Sequence, residues 1–196
     1  MPKRTENKAA SHRAERPAIL RVFFALWPDA SAREGVAALA RDVVSRAGGR
    51  APRPGNVHLT VAFVGNVEPD RLAELQHIGA SAAKSAAPFT LKLDRLGAFH
   101  HAGIAWLGAD TLPTELEDLV FALRNGLAAE AFPVERRMYR AHVTLARRCG
   151  TVATVEIPPI SWRVERVTLN ASELSAAGSI YRELAAWPLG REPRGR

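Results

Sequence analysis

The stretch NVHLTVAFVGNV, residues 56–67, decides how the fold of this 196-residue chain is interpreted. Its apolar residues alternate with other residues, a pattern typical of a strand with one buried face. Strict alternation predicts that His58, Thr60 and Ala62 share one face, while Phe63 lies on the other face with the apolar residues. An imidazole beside a hydroxyl on that face calls for an explanation.

The same pattern occurs a second time in the chain, as AHVTLAR from residue 141. Here His142, Thr144 and Ala146 are predicted to share a face by the same alternation. A single His-x-Thr motif is weak evidence, because the ordinary interpretation is a strand histidine beside a hydrogen-bonded threonine. Two motifs in the same apolar frame are much harder to attribute to chance, so we interpret them as two halves of one site.

A pair of histidines in one cleft suits a displacement at phosphorus that needs no metal ion. Because the unperturbed imidazole pKa is about 6.5, one ring can act as a base while the other acts as an acid near neutral pH. Neighbouring threonine hydroxyls can donate hydrogen bonds to the non-bridging phosphate oxygens in the transition state.

The net charge of +7 comes mainly from the two ends of the chain. Residues 1–16 contain five basic and two acidic residues, and three basic and one acidic residue follow Leu189. Basic ends attract polyanions without defining a site. Residues 135–148 hold five arginines, which indicate either a charged strand edge or a patch that follows the phosphates of RNA.

Periodicity and turn residues predict an α+β fold with mostly antiparallel pairing. No linker divides the chain, so we predict basic tails at residues 1–17 and 190–196 around a single domain at 18–189. In chain order, we predict a strand at 19–28, a helix from the capping box Ser31–Glu34 to Gly48, the strand at 56–67 and a helix at 68–86. A hairpin of strands 89–99 and 103–109 around His100 and His101 follows, and then a helix from a capping box at Thr114. The last predicted strands are at 138–149, 160–174 and 179–189, with Pro158 and Pro159 as a break.

Composition excludes several classes of protein. Cys149 is the lone cysteine, no cysteine or histidine spacing suits a metal, and no glycine-rich phosphate loop is present. No apolar run approaches the roughly 20 residues that span a bilayer. We therefore expect no metal, no cofactor, no membrane partner and a cytoplasmic monomer.

Because of its paired motifs, the chain resembles the 2H phosphoesterases, which are named for two His-x-Thr/Ser-x motifs. The chain is most similar to the bacterial and archaeal RNA 2′,3′-cyclic phosphodiesterases, historically called 2′-5′ RNA ligases. The resemblance covers residues 21–189, through RVFFALWPD, NVHLTVAFVGNV, FTLKLDRLGAF, WLG, HVTLARR and YRELAAWPL. It implies a bilobal fold with pseudo-twofold symmetry, helices outside and a central cleft.

The resemblance also implies roles for individual residues. His58 would be the general acid and His142 the general base, while Thr60 and Thr144 would bind phosphate. The substrates would be 2′,3′-cyclic phosphates on RNA ends or nucleosides, which the family opens to 2′-phosphomonoesters. Relatives commonly have proline before the second histidine, where this chain has Ala141.

The resemblance places a phosphate-binding arginine five residues after the second histidine, which is Arg147. Strict strand alternation from His142 selects Arg148 instead. We favour Arg147 because strands often end or bulge at such positions. Arg140 is a third candidate for phosphate, and Phe24 is the candidate for stacking a base.

Two alternative functions remain open from sequence. The first is a 2′-5′ RNA ligase that joins tRNA halves with the same histidines. The second is a non-catalytic RNA-binding module, whose salt-sensitive binding would survive the loss of either histidine.

Overall fold

The computed structural model describes residues 19–175 and 178–190. The predicted basic tails, residues 1–17 and 190–196, lie outside the described residues, with the exception of Gly190. Gly190 donates its backbone N–H to the Ala83 carbonyl at 3.1 Å, so this residue is tied to the folded domain.

The described chain contains eight strands, three α-helices and three single turns of 3₁₀ helix. The strands are β1 (Leu20–Leu26), β2 (Leu59–Val67), β3 (Phe89–Phe99), β4 (Ile104–Gly108), β5 (His142–Arg147), β6 (Val155–Val164), β7 (Arg166–Ser175) and β8 (Gly178–Pro188). The helices are α1 (Ala30–Ala47), α2 (Leu72–Ser85) and α3 (Thr114–Ala129), and the 3₁₀ turns are Pro54–Asn56, Pro69–Arg71 and His100–Ala102.

All eight strands form one sheet in the order β6-β3-β4-β5-β2-β1-β7-β8. Every pairing between these strands is antiparallel. The central strands β2 and β5 are joined at one residue pair, Leu59 with Val143. The order is mirrored about this pair, because β1 and then β7 follow β2 on one side, while β4 and then β3 follow β5 on the other side. The predicted α+β class and antiparallel pairing are confirmed, and the strand order has the expected pseudo-twofold arrangement.

A bulge in β2 changes which side chains share the face of the first motif. Thr60 pairs with Ala25 and Ala62 with Phe24 on β1, which leaves Val61 as an extra residue. Alternation therefore reverses after Thr60, because one inserted residue turns the following side chains to the other face. The prediction for Ala62 is wrong, since this residue is buried.

The β5 strand contains a bulge at the equivalent place. Thr144 pairs with Trp106 and Ala146 with Ala105 on β4, so Leu145 is the extra residue. Ala146 is buried, which corrects the prediction that it shares the histidine face. The next residues, Phe63 in β2 and Arg147 in β5, therefore occupy equivalent positions in the two halves, and both are exposed.

Two of the predicted helix caps are also corrected. Helix α1 is capped by Asp29, whose carboxylate accepts the Ala32 N–H at 2.8 Å, so Ser31 already lies inside the helix. Helix α3 begins at Thr114 with Pro113 at the cap position and no side-chain cap. In both cases the cap position is an earlier residue, so the predicted capping serine and threonine are helical residues.

The final third of the chain divides differently from the prediction. Strand β6 continues through Pro158 and Pro159, and a break at Glu165 separates β6 from β7. The prolines are tolerated because β6 is an edge strand and because residues 157–159 lie in a register irregularity of its pairing with β3, outside the paired positions.

The helices pack against different strands of the sheet. Helix α1 contacts β5 and β6, α2 contacts β7, β8 and α3, and α3 contacts β2. Their apolar faces and the inner face of the sheet enclose one buried cluster. None of the helices within residues 19–175 and 178–190 combines the length and apolar character needed to cross a membrane.

Candidate active site

The junction of β2 and β5 brings the two motifs together. Because Leu59 pairs with Val143 in antiparallel fashion, the residues before one and after the other face each other. His58 and Thr144 accordingly line one cavity of about 320 Å³. The equivalent residues of the other half line a second cavity of about 780 Å³. Each histidine is thus grouped with the threonine of the other motif.

The two imidazoles are anchored in the same way. Nδ1 of His58 donates to the Asn56 carbonyl at 2.7 Å, and Nδ1 of His142 donates to the Arg140 carbonyl at 2.7 Å. A carbonyl oxygen only accepts, so each Nδ1 carries a hydrogen. The Nε2 atom of each ring is therefore the one available to exchange a proton with a substrate.

The surroundings favour the neutral forms of both histidines. Burial is the main cause that lowers the pKa of His58, the Asn56 carbonyl opposes it, and the charges of Arg147 and His142 lower the pKa further. Burial also lowers the pKa of His142, again with a contribution from Arg147. Arg147 therefore acts electrostatically on both rings.

Three aromatic rings surround His58. The ring centroids of Phe23, Trp27 and Tyr181 lie 5.1, 5.2 and 5.0 Å from its centroid. The Trp27 indole is fixed because its Nε1–H donates to Thr168 Oγ1 at 2.9 Å. These rings pack around the imidazole and contribute to the burial that lowers the pKa of His58.

The surroundings of His142 differ from those of His58. The Phe99 ring lies 5.2 Å from His142, with its plane at 85° to the imidazole. The same imidazole borders the larger cavity, together with Arg140 and Thr60. The two histidines are therefore equivalent in the backbone and different in their aromatic surroundings.

Arg147 and Arg148 both line the His58 cavity. Arg147 follows the β5 bulge and pairs with Arg50, with backbone N–H to carbonyl distances of 2.9 and 3.0 Å. Arg148 has a φ of 57° and is the first residue after β5. Strand β5 bulges at Leu145, before Arg147, and the charge of Arg147 lowers the pKa of both histidines.

Gly49 permits the contact that fixes the Arg147 backbone. Its φ is +90°, and a Cβ atom there would lie 2.6 Å from the Arg147 carbonyl oxygen. Only glycine adopts this conformation without strain and leaves room for that oxygen.

The prediction that Phe24 stacks a base is wrong. Its side chain is 0% exposed and belongs to the core, so no base can reach it. Phe23 and Trp27 were passed over in favour of Phe24, although alternation along β1 puts them on the face opposite Phe24. Tyr181 was also missed, and nothing in the local sequence of β8 indicates its proximity to His58.

The adjacent His100 and His101 lie in an exposed 3₁₀ turn, as expected for a surface loop. Within the described ranges, no group of three or more His, Cys, Asp or Glu side chains is arranged to hold a metal ion.

Comparisons with known proteins agree with this arrangement. A family model described as LigT-like phosphoesterase matches residues 26–106, which include the first motif. The crystal structure of Escherichia coli LigT in apo form is 30% identical in sequence and has a TM-score of 0.78. The match covers 88% of this chain and 99% of the LigT chain. The chain belongs to the LigT-like phosphoesterase family.

Other relatives match a similar share of the chain. The structure of E. coli LigT complexed with 3′-AMP is 29% identical, with a TM-score of 0.78 and coverage of 88% of this chain and 99% of that one. The curated RNA 2′,3′-cyclic phosphodiesterase of E. coli K12 is 29% identical over 171 residues, which cover 86% of this chain and 96% of the relative. The resemblance to the 2H phosphoesterases is therefore confirmed.

Proposed function

We propose that this chain hydrolyses the 2′,3′-cyclic phosphates of RNA ends or nucleosides to 2′-phosphomonoesters, with two histidines as acid and base. The observation that carries the proposal is the pair of Nδ1-anchored imidazoles, His58 and His142, at the junction of β2 and β5. The name RNA 2′,3′-cyclic phosphodiesterase, carried by the curated relatives, supports the same substrate class.

The proposed reaction is an in-line displacement at phosphorus. Nε2 of His142 takes a proton from water as the water oxygen bonds to phosphorus. The P–O3′ bond breaks, and Nε2–H of His58 gives its proton to O3′. Exchange with solvent then returns one proton to His58 and removes one from His142. No step requires a metal ion.

Three side chains are proposed to hold the phosphate during this step. The hydroxyls of Thr60 and Thr144 donate to the non-bridging oxygens, and the Arg147 guanidinium balances their negative charge. Arg148 and Arg140, which line the cavities beside the histidines, are placed to contact neighbouring phosphates of an RNA strand.

The different surroundings of the histidines support their proposed roles. Three aromatic rings pack around His58, the proposed acid. His142 borders the larger cavity, from which a nucleophile can enter. We also propose a monomer that works in the cytoplasm, because one chain supplies every residue of this mechanism and Cys149 is the lone cysteine.

The decisive experiment follows the hydrolysis of 2′,3′-cyclic AMP by the purified protein in EDTA and identifies the product. His58→Ala and His142→Ala should each lower kcat by about 10²- to 10⁴-fold, the usual contribution of a general acid or base. His101→Ala is the matched control, since this histidine is exposed and outside the cleft, and it should keep the wild-type rate. Wild-type rates in both cleft variants, or a 3′-phosphate product, would contradict the mechanism.

A further inference from the structure

Two polar side chains are buried in the sheet beside the first motif. Among the described residues, Thr168 and Asn170 are the polar side chains that the interior encloses, with exposed fractions of 0% and 1%. Both lie on β7, where Thr168 pairs with Ala25 and Asn170 with Phe23 on β1. Burial of a polar group is costly unless hydrogen bonds compensate for it, so the partners of this pair indicate its role.

The Thr168 hydroxyl uses its full hydrogen-bonding capacity. It donates to the Ala25 carbonyl at 3.1 Å, and it accepts from Trp27 Nε1 at 2.9 Å and from Asn170 Nδ2 at 2.7 Å. Asn170 Nδ2 also donates to the Thr168 carbonyl at 3.3 Å. A hydroxyl has one hydrogen and two lone pairs, so this one is saturated and its position is fixed. We name these hydrogen bonds, which hold the Trp27 indole to β7, the Thr168 tether.

The tethered indole is one of the rings that pack around His58. Its centroid lies 5.2 Å from the centroid of the imidazole, with 39° between the ring planes. Trp27 also lines a separate cavity of about 500 Å³, together with Arg33 and Trp187, and His58 does not border that cavity. An indole that has lost its tether therefore has room to move away from the imidazole.

The contact with Trp27 is important because the Nδ1 anchor alone does not fix the imidazole of His58. A single hydrogen bond, from Nδ1 to the Asn56 carbonyl, leaves the ring free to rotate about the line that joins these two atoms. Rings packed against the imidazole prevent this rotation and direct Nε2 toward one point of the cleft. Proton transfer requires Nε2 to be within hydrogen-bond reach of the leaving oxygen, and small misplacements are costly.

The described residues of the His142 half contain no equivalent tether. Gly97 on β3 pairs with Trp106 as Thr168 pairs with its partner on β1, so a glycine occupies the position that corresponds to Thr168. The Nε1 atom of Trp106 is buried without a hydrogen-bond partner in the described part of the chain. This half instead opens to the larger cavity, which Phe63 lines beside His142. The tether therefore belongs to the side of the proposed acid.

We infer that Thr168, supported by Asn170, is a positioning residue for the proposed acid: through the Trp27 indole it holds the imidazole of His58 in the orientation that brings Nε2–H to the departing O3′. This inference rests on the proposed function. Neither side chain of the buried pair is accessible to a substrate. The effect of Thr168 on the reaction therefore passes through Trp27 and His58.

The pH profile separates a positioning role from a general loss of stability. Titratable or charged side chains face His58 from three parts of the chain: Arg50 and Arg53 after α1, His142, Arg147 and Arg148 in or after β5, and Tyr181 on β8. Substitution of Thr168 changes none of them. Burial lowers the pKa of His58, so displacement of the indole admits water and raises that pKa. Because the acid must be protonated, the high-pH limb of the kcat/KM profile should then move to higher pH.

The experiment measures the hydrolysis of 2′,3′-cyclic AMP across pH in two single variants and their combination. Thr168→Val removes the hydroxyl at nearly constant shape, and Trp27→Phe removes the indole N–H but leaves Thr168 bonded to Ala25 and Asn170. Each should lower the maximal kcat about tenfold, as for the loss of one hydrogen bond, and move the high-pH limb upward. The double variant should lose no more than Thr168→Val alone, because both substitutions break the same hydrogen bond.

Two further variants are the controls. Thr168→Ser keeps the hydroxyl and should retain the wild-type maximum and both limbs. Trp162→Phe is the matched control for the indole, because Trp162 is 2% exposed on β6 and its Nε1 has no partner among the described residues; it should keep the wild-type profile.

Three results would overturn the inference while hydrolysis of cyclic AMP by wild type upholds the proposed function. They are wild-type profiles in Thr168→Val and Trp27→Phe, a lower kcat without a shifted limb, and additive losses in the double variant. Failure of wild type to open cyclic AMP would overturn both the inference and the proposed function.

Discussion

At the residue scale, the two consecutive arginines after the second motif have different roles. The charge of Arg147 lowers the pKa of His58 and of His142, whereas Arg148 is not among the causes for either ring. Arg147 is also proposed to contact the phosphate. One substitution therefore tests both its electrostatic role and its binding role.

We expect Arg147→Gln to lower kcat/KM for 2′,3′-cyclic AMP by about 10- to 100-fold, the loss of one charged hydrogen bond. Removal of its charge should raise the pKa of both histidines. The base must be neutral and the acid protonated, so both limbs of the bell-shaped pH profile should move to higher pH. These limbs belong to the coupled pair.

Arg148→Gln is the control for the pH profile of kcat/KM. It removes a neighbouring positive charge from the same cavity, and its limbs should stay close to those of wild type. A larger shift of the pH profile in Arg148→Gln than in Arg147→Gln would show that Arg147 is not the arginine whose charge lowers the pKa of the histidines.

Sequence predicted some site residues and missed others for different physical reasons. The repeated motif indicated His58 and His142, because the pattern itself is the signal. The assignment of Phe24 was wrong because both faces of β1 are apolar, so composition cannot tell the core face from the cleft face. Tyr181 and Phe63 reach the cleft through strand pairing, which is not local information.

At the scale of elements, the segment after α1 is fixed against the end of β5. Gly49 and Gly48 both have positive φ, +90° and +70°. A Cβ atom at Gly49 would meet the Arg147 carbonyl oxygen at 2.6 Å, whereas nothing lies within 4 Å of one at Gly48. Substitutions at the two glycines can therefore distinguish the effect of backbone strain from the effect of displacing Arg147.

We expect Gly49→Ala to lower the free energy of unfolding by about 1–3 kcal/mol and to lower kcat/KM, because Arg147 must move. Gly48→Ala should lose stability through its backbone conformation alone and keep kcat/KM. Urea unfolding and the cyclic AMP assay measure the two effects. Equal activity in the two variants would contradict a role for the Gly49 contact.

The elements themselves were largely predictable, and their irregularities were not. The strand at 19–28, the hairpin around His100 and three helices were found from periodicity and turn residues. The bulge at Val61 was not found, since a bulge depends on the partner strand, and before Arg147 the sequence indicated only that the strand ends or bulges. Pro158 and Pro159 were interpreted as a break because sequence does not show that β6 is an edge strand.

At the scale of the whole molecule, the histidines link folding to pH. Their folded-state pKa values are lowered, so the unfolded chain binds more protons just below pH 6.5. The resulting stability is fully present above pH 6.5 and is lost as pH falls through the folded-state values.

We expect the free energy of unfolding to decrease in this pH window more in wild type than in the double variant His58→Gln, His142→Gln. Denaturant titrations at several pH values measure the difference. His100→Gln, His101→Gln is the control, because these histidines are exposed, and it should follow wild type. The same pH dependence in wild type and in the cleft double variant would contradict the lowered pKa values.

The mirrored strand order has a consequence for regiochemistry. A cleft with nearly equivalent halves can receive a 2′,3′-cyclic phosphate in two orientations, one that breaks P–O3′ and one that breaks P–O2′. The backbone does not distinguish them, because the motifs, the bulges and the imidazole anchors are duplicated. The choice of product must therefore come from unpaired differences such as Phe63 against Arg147 and the rings around His58. Fidelity toward one isomer is thus a property of a few side chains rather than of the fold.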